Sequence, residues 1–356
     1  MGDKDVNQFM CPLPHVEKDH ITISHGSGGK QTKHLIQRIF YTYFSNPILE
    51  KGDDFADIPA NFSKNKPRVI TATDAHIVDP IFFPGGDIGR LAVAGTVNDV
   101  SMSGAIPKFI TASFIIEEGF PIIDLDRIAR SMAECALEAD VQIIAGDTKV
   151  VEKGKSDKIF ISTTGIGFLE TGVSINGASA KPGDVVIMSG TIGDHGIAVL
   201  AARNDLGFRV EIQSDVNPLN ELIQSIRKAS KAIHVLRDPT RGGVATTLNE
   251  ISEQSNVSIV LDELKLPIRK SVQAACDILG FDPLYVANEG KVLIIAPRCE
   301  SNAILDALHT HPLGRQARQI GVVEKAKSTP NVLMKTTIGG TRIVDMLSGK
   351  MLPRIC

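Results

Sequence analysis

Two periods of apolar residues run through the chain. Residues 69–73 (Val-Ile-Thr-Ala-Thr) form a β-branched run that reads as a strand ending at Asp74. A Pro84-Gly85-Gly86 turn follows. Asp87 then stands where it can cap a helix carrying Leu91, Ala94, Val97 and Val100 at helical spacing. Residues 108–118 alternate as a strand does. Residues 125–139 set Ile128, Met132, Cys135 and Ala136 on one helical face, which makes Cys135 a core residue. Strands are expected at 141–146 and 159–169.

The stretch 170–183 is rich in Gly, Ser and Ala and ends in a Lys181-Pro182-Gly183-Asp184 turn, which marks a domain boundary. Beyond it the pattern predicts strands at 185–188, 257–261, 292–296 and 320–323. Helices are expected at 197–203, 218–233, 244–254 and 298–308, and another carries Val272, Ala275, Cys276 and Leu279. A chain of 356 residues has room for two cores. The expected division is a lid segment and helix at 1–45, an α/β domain at 46–170, an α+β domain at 171–330 and a flexible tail at 331–356.

Composition narrows the partners. The net charge is -3, no basic patch stands out and Trp is absent, so nucleic acid is not an expected partner. No apolar segment approaches the ~20 residues that span a bilayer. The start of the chain, Met1 to Val6, is polar, so a cytoplasmic protein without a signal peptide is expected. Five cysteines include no CxxC pair, and neither a zinc cage nor a disulfide framework is indicated.

Several polar clusters then carry candidate chemistry. Asp74 at a strand end and Asn98-Asp99 on a helix of small residues are hard oxygen groups suited to Mg²⁺ and a polyphosphate; the plainer alternative is a turn and a helix cap. Gly26, Ser27, Gly28 and Gly29 make a loop that can close over phosphates or serve only as a turn. It lacks the spacing of a Walker loop or a dinucleotide fingerprint. Asp147, Thr148 and Lys149 follow a buried run, where an amine can offset phosphate charge. His195 sits in a second glycine-rich loop, without a paired His or Cys at metal spacing. Asp238, followed by Pro239-Thr240-Arg241-Gly242-Gly243, opens a helix. Glu289 can pair with Lys291 across a turn or stand in a cleft as a base. The terminal Cys356, behind Arg354, is either a chance frayed thiol or a mobile carrier.

Taken together these pieces resemble the hydrogenase-maturation HypE family of carbamoyl dehydratases, within the ATP-using superfamily named after aminoimidazole ribonucleotide synthetase. The resemblance runs from His25-Gly26-Ser27-Gly28-Gly29 to Pro353-Arg354-Ile355-Cys356. Its most specific pieces are residues 82–89 (Phe-Phe-Pro-Gly-Gly-Asp-Ile-Gly), 146–151 (Gly-Asp-Thr-Lys-Val-Val) and 238–243 (Asp-Pro-Thr-Arg-Gly-Gly), with the terminal cysteine. One departure is the polar region 51–66, where Asp53, Asp54 and Asp57 replace a more apolar stretch; Asp54 is the favoured metal ligand.

The resemblance implies an N-terminal domain that pairs strands across a homodimer, a C-terminal α+β domain, and ATP in the cleft. It implies Mg²⁺–ATP on Asp54, Asp74, Asp99 and Asp238, with Asn98, Asp147, Thr148 and the Gly26–Gly29 loop nearby. It makes Cys356 the carrier, Glu289 the base, and Lys149 and Arg354 the groups that offset charge. A carbamoyltransferase would load Cys356, and an iron-carrying complex of HypC–HypD type would take the cyanide. Two other readings use the same residues. One is a kinase or selenophosphate-synthetase-like enzyme acting on a free substrate. The other is a metallochaperone or scaffold.

Overall fold

The computed structural model describes residues 29–37, 47–58, 67–203, 211–347 and 355. The expectations for Gly26, Ser27, Gly28, Arg354 and Cys356 therefore lie outside the described residues. The N-terminal domain begins with α1 (Lys30–Leu35), β1 (Ala56–Ile58), β2 (Arg68–His76) and a hairpin of β3 (Phe82–Phe83) and β4 (Gly86–Asp87). It continues with α2 (Ile88–Met102), β5 (Ile106–Glu117), α3 (Ile122–Glu138), β6 (Gln142–Val151) and β7 (Ile159–Leu169). Five strands form one sheet in the order β1-β2-β7-β5-β6, with β5 and β6 its parallel pair.

Asp87 caps α2 as its position predicts, accepting from the N–H groups of Gly89 at 2.8 Å and Arg90 at 3.0 Å. Of the 15 residues of α2 all but Arg90 and Asp99 are buried. A helix apolar on every side belongs between two layers, and α2 lies between the sheet and the C-terminal domain. It packs hard on β7 because β7 is glycine-rich there. A Cβ on Gly165 would stand 2.7 Å from Thr96 Cγ2, and one on Gly167 would stand 2.5 Å from Val100 Cγ1.

The C-terminal domain contains β8 (Asp184–Met188), α4 (Asp194–Ala202), α5 (Asn220–Ala229), β9 (Val235–Arg237), α6 (Gly243–Ser255) and β10 (Val257–Asp262). It goes on with α7 (Lys270–Leu279), β11 (Leu293–Pro297), α8 (Ser301–Thr310), β12 (Arg318–Lys325), β13 (Asn331–Lys335) and β14 (Thr341–Ile343). Its seven strands run in the order β14-β13-β10-β12-β8-β11-β9. Central strands are covered on both faces: Val186 and Met188 enter one core cluster, Val185 and Ile187 the other.

Three expectations need correction. The segment 331–356 is not a tail throughout, since β13 pairs in parallel with β10 and β14 pairs with β13; the polar character of 335–341 masks two short strands, of which β14 is the sheet edge. Helix α5 stops at Ala229, well short of residue 233. Strand β6 does not end at Gly146 but runs to Val151, paired with β5 through Ile116–Val150 and Glu117–Val151. Asp147, Thr148 and Lys149 are thus inside an edge strand. That strand is exposed on both faces, with Ile144 53 % and Val150 67 % accessible. Among the described residues no helix is long and apolar enough to cross a membrane.

Gly167→Ala should lower stability by about 1–3 kcal/mol through the overpacking against Val100. Urea unfolding reads this as a lower midpoint at unchanged slope, and an unchanged midpoint would show that β7 and α2 have room to separate.

Candidate active site

Five carboxyl groups from five separate segments share one electrostatic environment. Asp54 precedes β1, Asp74 lies in β2, Asp99 in α2, Asp238 just after β9, and Glu289 in the loop before β11. Burial, then the charges of Asp238, Asp74, Asp54 and Glu289, hold the Asp99 carboxyl well above the usual range. Burial likewise pushes Asp238 up to about 6, with Asp74 adding to the effect. Asp54 is pushed up to about 8 by burial and by Asp238, Glu250 and Asp53, against the pull of Arg237.

Arg237 was not among the expected site residues, yet it organises one side. It is buried at the end of β9, with Nε 2.5 Å from Asp54 Oδ2 and an Nη 2.7 Å from Glu250. Another Nη donates to the Gly52 carbonyl at 3.2 Å. A buried arginine directly before Asp238 was the available signal, because burying a guanidinium demands carboxylate partners. A cavity of about 550 Å³ opens beside it, lined by Gly29, Lys33, Gly52, Asp53, Arg237 and Glu250. Gly29 is thus the described member of the glycine loop that reaches this cavity. Its Cβ would fall 2.2 Å from the Leu347 carbonyl oxygen, so only glycine fits.

Glu289 is buried, and its Oε1 has no hydrogen-bond partner. Burial first, then Asp74, Asp238 and Asp215, raise its carboxyl well above the ordinary range. The choice left open by the sequence is resolved by Asp215: Lys291 Nζ lies 3.0 Å from Asp215 Oδ2, leaving Glu289 free of the lysine. Asp215 Oδ1 also accepts the Glu289 N–H at 3.1 Å, which fixes the backbone and leaves the side chain to the cleft. A Cβ at Gly290 would sit 1.8 Å from the Asp215 carbonyl oxygen, so the chain passes Asp215 only as glycine.

Two asparagines carry structure rather than chemistry. Asn98 donates to the carbonyls of Asn217 at 3.1 Å and Glu289 at 3.3 Å, and accepts from Leu219 N at 2.7 Å. Its amide is spent on the backbone, which corrects the expectation that it faces a nucleotide. Asn288 does a similar task unannounced by pattern. It accepts from Gly193 N at 2.8 Å and donates to the Pro239 carbonyl at 2.8 Å. The three polar loops of the second domain are thereby held together.

Asp147, Thr148 and Lys149 stand apart from this cluster. Lys149 Nζ is 2.7 Å from Asp147 Oδ2 on the exposed β6. That ammonium first, then the Thr148 N–H, holds the Asp147 carboxyl below its usual range. The carboxyl end of the chain does come inward. Ile355 is buried, bridges Val78 in antiparallel fashion just beyond β2, and offers its carbonyl to His195 Nε2.

Among the described residues no three His, Cys, Asp or Glu side chains converge tightly enough to hold an ion by themselves. The donor set still suits a hard cation. Asp238 Oδ2 and Glu289 Oε1 are buried without hydrogen-bond partners, and Mg²⁺ draws much of its octahedral shell from water and substrate phosphates.

Comparison with known proteins gives the family. Residues 52–169 match the N-terminal domain of AIR synthase related proteins, and residues 181–330 match the C-terminal domain. Carbamoyl dehydratase HypE of Cupriavidus necator is 52 % identical, over 98 % of both chains. The crystal structure of a HypE–HypF complex superposes with a TM-score of 0.82 at 50 % identity, covering 88 % of this chain and 99 % of that one. A HypE structure in complex with ATP gives 0.78 at 44 %, covering 95 % and 100 %. The chain belongs to the carbamoyl dehydratase HypE family of AIR synthase related proteins.

Proposed function

We propose that the chain dehydrates a carbamoyl group carried on Cys356, using ATP, and so makes the cyanide ligand for the iron of [NiFe]-hydrogenase. One observation carries the reading most. The buried Glu289, whose Oε1 has no hydrogen-bond partner, stands among aspartates beside a cleft into whose neighbourhood the residue before Cys356 is drawn.

The loaded group is a thiocarbamate, S–C(=O)–NH₂. Conversion to S–C≡N removes one oxygen and two N–H protons. ATP, when bound, supplies phosphate to the carbonyl oxygen, so that oxygen departs as phosphate instead of hydroxide. The departing phosphate carries one N–H proton, and Glu289 takes the other. Its raised carboxyl suits that task, since a stronger base at a buried position drives the transfer. Asp54, Asp74, Asp99 and Asp238 would hold Mg²⁺, whose charge lowers the repulsion among them and the phosphates. The loop containing Gly26, Ser27, Gly28 and Gly29 would exclude water, and Arg354 would offset charge beside Cys356.

Lys149, with Asp147 and Thr148, joins only if something covers β6. An edge strand with exposed Ile143, Ile144 and Val150 and a free ladder edge is a surface for a second copy. We therefore read the working form as a homodimer that completes the site around Lys149. The partners that fit this chemistry are a carbamoyltransferase that loads Cys356 and a HypC–HypD type iron carrier that receives the cyanide. The reaction would take place in the cytoplasm.

Four measurements test these points. Mass spectrometry of the C-terminal peptide should show a carbamoyl group on Cys356 that loses one water when ATP is added. Glu289→Gln should keep ATP binding and slow that loss by about 10²-fold or more; a normal rate would assign the proton to another base.

The carboxyl groups also set a pH dependence. Folded Asp238 and Asp54 titrate near about 6 and about 8, whereas unfolded aspartates titrate near ~4. Between those values the folded state holds more protons than the unfolded one, so stability falls as pH rises through the window. Thermal unfolding without divalent cation should show Tm dropping from pH 5 toward about 8. Mg²⁺ with ATP should raise Tm most at the upper end, and a flat profile would contradict the shared acid site.

For the dimer, Ile144→Glu on β6 should shift the mass by light scattering to that of one chain and reduce dehydration. A wild-type chain already monomeric would remove Lys149 from the mechanism.

A further inference from the structure

His195 has no task in the chemistry above, and its surroundings are unusually complete. The ring is fully buried at the start of α4. Nε2 meets the Ile355 carbonyl oxygen, and Nδ1 lies 2.8 Å from Ser214 Oγ. A carbonyl oxygen only accepts, so Nε2 carries the proton. In the neutral ring Nδ1 is then an acceptor, and Ser214 must donate its O–H. That hydroxyl is free to do so, because its oxygen accepts the Val216 N–H at 3.1 Å. Every proton in the chain Val216 N–H, Ser214 O–H, His195 Nε2–H, Ile355 C=O has one consistent direction. Burial lowers the ring's proton affinity, which keeps this neutral tautomer.

The seat is built by the hairpin that the sequence singled out. Phe83 meets the His195 ring edge-on, with centroids 5.4 Å apart. Ser214 N donates to the Pro84 carbonyl at 2.8 Å, and a Cβ on Gly85 would lie 2.8 Å from Ser214 backbone atoms. The Phe82-Phe83-Pro84-Gly85-Gly86-Asp87 run offers the acid cleft nothing, since Asp87 is spent as a helix cap. It holds Ser214, which orients His195. Asp215, the next residue, takes the Glu289 N–H and the Lys291 ammonium. The ring and the base are therefore anchored on adjacent residues.

We propose that His195 is a positioning residue for the carrier tail: its Nε2–H grips the Ile355 carbonyl and fixes the backbone one residue before Cys356. The Ile355 side chain, buried with Val78 in the main core cluster, supplies the apolar half of the same latch. The latch engages when the tail is inward and must open for any enzyme that modifies Cys356. Its catalytic consequence rests on the carrier reading of Cys356; the latch itself does not.

The test uses the full chain with His195→Phe, which fills the space but cannot donate, and His195→Gln, whose amide N–H reaches a similar depth. Ser214→Ala is a milder third variant that removes the orienting hydroxyl. The first readout is the rate at which iodoacetamide alkylates Cys356, followed by mass spectrometry, with the exposed Cys299 as internal reference. The Cys356 to Cys299 ratio should rise roughly three- to tenfold in His195→Phe, the worth of one buried hydrogen bond. It should rise less in Ser214→Ala and return toward wild type in His195→Gln. The second readout is single-turnover loss of water from carbamoylated protein, which should slow by a similar factor in His195→Phe at unchanged ATP affinity.

An unchanged alkylation ratio in His195→Phe and Ser214→Ala overturns the latch. So does a His195→Gln protein that behaves like His195→Phe with the same fall in Tm, which would mark a packing effect. If wild-type protein alkylates as expected but never loses water, the latch stands and the carrier reading fails.

Discussion

The fold concentrates negative charge that it cannot neutralise alone. Asp54, Asp74, Asp99, Asp238 and Glu289 come from distant segments, and each raised carboxyl owes part of its shift to the others. Burying one unpaired carboxylate is already expensive, and several near one another compound the repulsion. Arg237 offsets Asp54 and Glu250 only at one edge. Such a cluster persists because α2, wedged on the glycines of β7, and the loops tied by Asn98 and Asn288 leave the carboxyls no route apart. A hard cation would relieve the same repulsion, whereas a bare polyphosphate would add to it.

Much of this was legible in the residues themselves. Asp99 stood out because a helix that is apolar all round has no structural use for an acid, and the structure leaves that helix otherwise enclosed except at Arg90. Asp87 could be read as a cap from its place before an apolar run. The two-domain division followed from the boundary near 170–183, and the family domains end and begin at 169 and 181. What stayed hidden depends on long-range pairing. Whether Lys291 meets Glu289 or Asp215 is decided by a residue 74 positions away in sequence. Asn98 reads as a ligand from its place beside Asp99, yet its amide bonds reach Asn217, Leu219 and Glu289. The strands at Asn331–Lys335 and Thr341–Ile343 lie at one end of the sheet, with Thr341–Ile343 its edge, and solvent-facing polar residues dilute their alternation.

The misplacement of Asp147 and Lys149 has its own physical reason. A buried run followed by polar residues ordinarily signals the end of a strand. In β6 the polar residues continue the ladder against β5, because hydrogen bonding to a neighbour does not require burial. The apolar residues of the same strand are then the anomaly, exposed on a free edge where natural sheets place charge or curvature. Both observations find one explanation if β6 is interior to a larger sheet formed with a second copy.

The tail poses the opposite requirement to the acid cleft. Chemistry on Cys356 demands that water be kept from the reacting group, whereas loading and unloading demand that the same residue meet other proteins. A covalently attached substrate can satisfy both only by moving between two positions of nearly equal free energy. A latch made of one buried hydrogen bond and one isoleucine is of the right size. A net hydrogen bond contributes about 0.5–1.5 kcal/mol, and burying one aliphatic side chain about 1.5–3 kcal/mol. Fixing the backbone opposes this with about 1–2 kcal/mol for each residue ordered. The opposing terms are each only a few kcal/mol, so a ligand that prefers one position by a similar amount can reverse the population. On the proposed carrier role, ATP in the cleft and a partner on the outside would compete for this contact, and which of them is bound would set the order of events.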